Sequence, residues 1–169
     1  MPERATRTRR SPTAHELAVW RDFIETTEVL RAQLAARMQR ESGLSTGDYA
    51  VLLALSEADD TCLRSSWLAR TIGWERSRLS HHLARMQQRG LIERRDTEGD
   101  NRGTEVALTR AGSDAFRRAS APHLRLVREL FIDAFDAEQL DRVAELTEAL
   151  RTHLGPEACD PEDAGTDEC

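Results

Sequence analysis

A mainly α-helical chain with one small β-hairpin is predicted on three observations. Apolar residues recur at three- and four-residue spacing through long stretches on both sides of the middle of the sequence. Between them stand two shorter helical patterns separated by a break at Gly73, the order of a helix-turn-helix. Two β-prone runs, Leu91–Arg95 and Thr104–Leu108, then flank Asp96–Gly103, a turn rich in Asp, Gly and Asn. Together these read as a winged helix-turn-helix domain plus a helical dimerisation region.

The elements follow in order. Residues 1–12 are basic and poor in apolar side chains, and are expected to be a disordered arm. In 13–44, Leu17, Trp20, Phe23 or Ile24, Leu30, Leu34 and Met38 form the stripe of an amphipathic helix about 40 Å long, closed by Gly43. A helix of that length needs a second helix to cover it; with the apolar stripe of the last helix, pairing with a second copy is the economical solution and an intramolecular bundle the alternative. The winged helix-turn-helix domain is expected over 45–112. It begins with a helix from Ser45 to Glu57 whose Tyr49, Val51, Leu52, Leu53 and Leu55 are apolar on most sides, as in a central pillar. Ser65 or Ser66 caps a short helix, and a second helix runs from about Glu75 to Arg89, closed by Gly90.

Over 113–154 two more dimerisation helices are expected. The first runs through Phe116 toward Phe135, with Leu124, Val127, Leu130 and Phe131 as its stripe and a kink or break at Pro122. Asp136 and Gln139 open the second as a capping box, and Leu140, Val143, Leu146 or Thr147, and Leu150 recur along it. Residues 155–169 are acidic, without apolar periodicity, and read as a disordered tail.

The length of 169 residues suits one domain of ordinary size, and the net charge of −6 is unevenly spread. Residues 63–110 hold ten Arg against six Asp or Glu, a balance of +4, whereas 154–169 hold six acids and no base. Every basic residue is Arg, a residue suited to bidentate contact with phosphate or guanine, although a G+C-rich genome is the simpler cause. No apolar run reaches the roughly eighteen residues of a membrane span and no signal peptide is evident, so a cytoplasmic protein without a membrane partner is expected.

In the helix near 75–89, Leu79, Leu83 and Met86 recur at i, i+4 and i+7 and face the core. That leaves Arg76, Ser77, Ser80, His81 and Arg85 on other faces, residue types that contact DNA. Past the hairpin, Asp100, Arg102, Leu108, Thr109 and Gly112 stand as D-x-R-x5-L-T-x-x-G. With the R-G-L step at Arg89–Leu91 and the flanking long helices, the chain over roughly 14–154 resembles the MarR family of winged helix-turn-helix regulators.

The resemblance implies a homodimeric transcriptional regulator, a repressor, that binds double-stranded DNA at a pseudopalindromic operator and is released by a small-molecule effector. By family position Arg76, Ser77, Ser80 and His81 would meet bases, while Arg78, His82 and Arg85 would reach phosphates or neighbouring bases. Arg102 would enter the minor groove, with Asp100 orienting it. The region of His15, Trp20 and Phe23 is where relatives hold an effector, although a large aromatic at helical spacing is more often core. A helical adaptor using the winged module to bind protein is the alternative reading.

No enzyme is expected, because no nucleophile–base pair, phosphate loop or ligand cluster occurs. Adjacent His81 and His82 do not converge on one ion, and the three cysteines fit no zinc pattern, so neither metal nor cofactor is expected. Cys62 reads as a buried structural thiol; Cys159 and Cys169 lie in the tail.

Overall fold

The computed structural model describes residues 11–96 and 104–155. The chain divides into two compact units, Met1–Gln33 and Leu34–Cys169. Helix α1, Ala14–Ser42, begins in the first unit and ends in the second. In the first, Leu17, Val19, Trp20, Phe23 and Val29 are exposed. Among the described residues of that unit there is only the helix stretch itself, which cannot bury them.

The second unit is built around α2, Thr46–Glu57. Ser45 caps it: its side chain accepts from the Asp48 N–H while Asp48 accepts from the Ser45 N–H, a complete capping box. Val51, Leu52 and Leu55 are fully buried, joined by Met38 from the end of α1, and this is the apolar-all-round pillar read from the sequence. After α2 come strand β1, Cys62–Arg64, and helices α3, Ser65–Thr71, and α4, Arg76–Gln88. The hairpin is β2, Ile92–Asp96, against β3, Thr104–Leu108, antiparallel with Arg94 opposite Val106. Strand β1 pairs with the other edge of β3, giving a three-stranded sheet in the order β1-β3-β2 rather than an isolated hairpin.

Helix α5, Arg110–Leu130, is followed by a short 3-10 turn at Ile132–Ala134 and by α6, Ala137–Leu154. Asp136 and Gln139 form the expected capping box of α6. Three expectations need correction. The cap of α3 is Arg64, without a side-chain capping hydrogen bond, because Ser65 and Ser66 are already helical. Helix α5 runs unbroken through Pro122: the N–H that proline lacks is one bond among many, and Ala119 and Leu126 on either side are fully buried. Its inward stripe is Gly112, Ala119 and Leu126, with Ala115 and Phe116 beside it, whereas Leu124 is 66% exposed. Leu124, Val127 and Phe131 therefore lie on a second stripe, away from the core of their own unit.

Two sets of contacts hold α5 in place. At its start Thr109 caps the helix by accepting from the Gly112 N–H, and the same hydroxyl lies 2.7 Å from the Gly90 carbonyl and 3.0 Å from that of Leu91. A side chain at Gly112 would drive into the Leu91 carbonyl, so L-T-x-x-G is the residue set that locks α5 onto the turn after α4. Further along, Tyr49 packs on Phe116 and His123, with ring centroids 5.2 and 4.1 Å away. Burial lowers the His123 pKa, and among the described residues its Nδ1 has no hydrogen-bond partner. Arg37 and Glu41 of α1 interlock with Arg125 and Glu129 of α5.

Gly112→Ala is expected to lower stability by about 1–3 kcal/mol, the range for forcing atoms into a packed interior. A denaturant melt with an unchanged midpoint would show that the α5 start can shift to admit a methyl group.

Candidate nucleic-acid interface

The helix-turn-helix is α3 and α4 joined at Gly73. The Ile72 and Gly73 N–H groups close α3 on Leu68 and Arg70, and the Trp74 N–H returns to the Ala69 carbonyl at 2.8 Å. From there α4 buries Leu79, His82, Leu83 and Met86. Its opposite face carries Ser77, His81, Ala84 and Gln88, spaced one or two turns apart. Arg76 and Ser80 flank that face on one side, Arg78 and Arg85 on the other, and all but the half-buried Ala84 are exposed. Guanidinium, hydroxyl, imidazole and amide groups on one convex helix are the set that pairs with phosphate oxygens and base edges. Gln88 went unnoticed in the sequence, although it stands one turn past Ala84 and two past His81.

His82 is the exception among the expected contact residues. It is 9% exposed and belongs to the inward stripe, because it stands three residues after Leu79 and four before Met86. A polar ring is accommodated there by a buried acid. Asp48 of α2, 2% exposed, lies with Oδ1 3.1 Å from His82 Nε2, an ion-pair approach without the alignment of a full hydrogen bond. Asp48 Oδ2 accepts from Arg89 Nη1 at 2.7 Å and from the Ser45 N–H at 2.9 Å. Arg89, just past the end of α4, also donates to the Gly43 carbonyl. Burial alone would raise the Asp48 pKa, but His82, Arg89 and Ser45 outweigh it and hold the carboxyl well below the ordinary carboxylate range.

Trp74 completes the support. Its ring meets His82 edge-on with centroids 5.1 Å apart, and Arg78 stacks over it at 4.2 Å. A Cβ on Gly47 would stand 2.7 Å from the Trp74 ring, so a glycine in α2 is what admits this close approach. Arg85 Nη2 lies 3.1 Å from His82 Nδ1. On α3, Arg70 covers the exposed Trp67, a second basic and aromatic spot that the sequence pattern had not singled out.

The other expected positions fall elsewhere. Asp100 and Arg102 lie in 97–103, outside the described residues, as do residues 1–10, the acidic tail from 156 and its two cysteines. His15, Trp20 and Phe23 are all exposed in the first unit. Cys62 is half-buried in β1, not fully buried, with Sγ 4.0 Å from Glu105. Among the described residues no His/Cys/Asp/Glu group is arranged to hold a metal ion, and no helix is long and apolar enough to cross a membrane.

Helix-turn-helix, three-stranded sheet and exposed polar helix face define a winged-helix protein of the transcription-regulator class. The model of the MarR family matches residues 42–103. Among solved structures, AbsC, a MarR family transcriptional regulator from Streptomyces coelicolor, is 33% identical, with 86% of this chain and 98% of that chain covered and a TM-score of 0.78. Sco3205, a MarR family transcriptional regulator from the same organism solved in complex with DNA, is also 33% identical, with 92% and 97% covered and a TM-score of 0.83. The transcriptional repressor MprA of Escherichia coli (strain K12) is 23% identical over 118 residues, 70% of this chain and 66% of MprA, so the match spans just under two thirds of that relative. The chain belongs to the MarR family and is a MarR family transcriptional regulator.

Asp48 has its pKa lowered in the folded state, so the stability it contributes is complete above the ordinary value of 3.8 and is lost progressively as pH falls below it. Asp48→Asn should flatten the acid limb of a stability-against-pH curve. Identical acid limbs for the two proteins would remove this carboxylate from the account.

Proposed function

We propose that the protein is a homodimeric, sequence-specific DNA-binding regulator that acts as a repressor on a pseudopalindromic operator and is released by a small-molecule effector. The observation that carries the reading is the exposed face of α4, with Ser77, His81 and Gln88 at its centre and arginines on both flanks, opposite a fully buried apolar stripe. A relative 33% identical solved in complex with DNA supports it. In this reading Arg76, Ser77, Ser80, His81 and Gln88 read base edges in the major groove, Arg78 and Arg85 hold phosphates, and Arg102 enters the minor groove with Asp100 orienting it. The repressor role follows the repressor MprA. Effector release rests on family resemblance, with His15, Trp20 and Phe23 as the candidate contacts.

Residues 13–44 and 113–154 form the dimer interface in this reading, and 45–112 the DNA-binding domain. The support is physical: α6 buries none of its residues, while Leu146, Leu150 and Leu154 are 70%, 45% and 74% exposed and Leu124 on α5 is 66% exposed. An apolar stripe left open along an amphipathic helix is stabilised when a second copy covers it.

A charged substitution, Leu146→Glu or Leu150→Glu, should weaken dimerisation and operator binding together; a wild type that sediments as a monomer at micromolar concentration would sink the dimer. DNA fragments selected by the purified protein should be inverted repeats with half-site centres about 10 bp, or about 34 Å, apart. Arg102→Ala should lower affinity for most sites and reduce the salt slope by roughly one or two units for the dimer. Unchanged affinity and slope for that variant would mean that the wing does not engage DNA.

A further inference from the structure

We propose that His82 is a positioning residue for DNA recognition: gripped from inside by Asp48 and Trp74, it offers its Nδ1 lone pair to Arg85 and so sets one guanidinium of the α4 face in place before DNA arrives. The inference rests on the DNA-binding reading above and deepens it by naming what holds an arginine in register.

The chemistry allows one arrangement. A guanidinium is donor-only, so with Arg85 Nη2 at 3.1 Å the His82 Nδ1 must be an acceptor and the ring proton must sit on Nε2. That nitrogen faces the Asp48 carboxylate, whose Oδ1 lies 3.1 Å away and off the line of a full hydrogen bond. The opposite tautomer would set N–H against N–H at Arg85 and lone pair against carboxylate at Asp48. Neither end of the relay is loose. Asp48 is fixed through its other oxygen by Arg89 and Ser45, and the ring is walled by the Trp74 edge and by the bare backbone of Gly47, where a Cβ would come 3.1 Å from His82 Cε1.

On the exposed side, Arg78 stands seven residues before Arg85 on the same flank and is stacked on Trp74. Two arginines of one flank are thus held by a joined Trp74–His82 platform. A long side chain ordered in advance loses less freedom when it binds, and it meets a groove from one direction only. The buried histidine therefore acts on recognition through Arg85 without touching DNA.

The test uses the full-length protein, an operator duplex selected from a random pool, and a random duplex of equal length. Arg85→Ala is expected to lower operator affinity about tenfold, as for one charge-assisted contact. His82→Leu should reproduce most of that loss, and the double variant should be no more than about twofold worse than Arg85→Ala alone, since one route is being cut twice. His82→Gln, which keeps an acceptor for Arg85 and a donor for Asp48, should recover most of the affinity.

Nitrogen-15 spectra of the wild-type imidazole should show the Nε2–H form, with an Nδ1 signal that moves on Arg85→Ala. This readout stands even if His82→Leu does not fold. Multiplying losses in the double variant, an Nδ1–H ring, or an Nδ1 signal indifferent to Arg85→Ala would each overturn the positioning role while leaving DNA binding intact. A wild type that binds no duplex would overturn the DNA-binding reading, and this inference with it.

Discussion

One carboxylate, that of Asp48, is the point on which the arrangement of α2 and α4 turns. A buried charge is strongly unfavourable unless it is paired and hydrogen-bonded, and Asp48 reaches that state only when three separate pieces of chain converge on it. Ser45 supplies the capping box that starts α2, His82 comes from the middle of α4, and Arg89 comes from the residue that ends it. A shift of α4 by one turn along its axis would strip the acid of both cationic or polar partners at once. Hydrophobic contacts between Leu79, Leu83, Met86 and the α2 leucines draw the helices together without fixing their register; the polar triad does so.

The same logic of backbone accounting governs the far side of the module. Thr109 caps α5 and also reaches the Gly90 and Leu91 carbonyls in the turn that follows α4. Because Gly112 must lie against Leu91, the start of α5 cannot move independently of the turn that follows α4. Helix α5 then leaves the sheet with two faces in different situations. Ala119 and Leu126 face the core, and Leu124, Val127 and Phe131 lead into α6, none of whose residues is buried among the described residues. The division between a closed winged-helix module and open apolar helices is written into which stripe of α5 is small and which is large.

Charge follows a parallel division. The net charge of −6 would disfavour a polyanion partner if it were uniform, yet the stretch 63–110 carries +4, and Arg76, Arg78 and Arg85 stand on α4 with Arg89 just past its end. Several of these are already engaged. Arg89 is committed to Asp48, Arg78 to the Trp74 ring and Arg85 to His82, so the basic surface is organised rather than a loose cloud of side chains.

Much of this was legible in the sequence because local rules carry it. The Asp136 capping box, the helix-ending Gly90, the β-prone runs of β2 and β3 and the L-T-x-x-G motif all act between residues a few positions apart. Strand β1 was not legible: three residues are too few to show alternation, and only pairing with β3 makes them a strand. Leu126 lost to Leu124 because the inward face of α5 is lined by alanines and a glycine, which weaken an apolar signal. His82 was read as surface because a histidine beside another histidine, amid serines and arginines, looks solvated; what buries it is an acid 34 positions earlier. The amino-acid sequence by itself determined the helices, the wing and the family, since those follow from periodicity and short-range caps. Only the tertiary structure decided which polar residues of α4 face outward and which anchor it, because the burial of a polar group depends on a distant partner that no local pattern reveals.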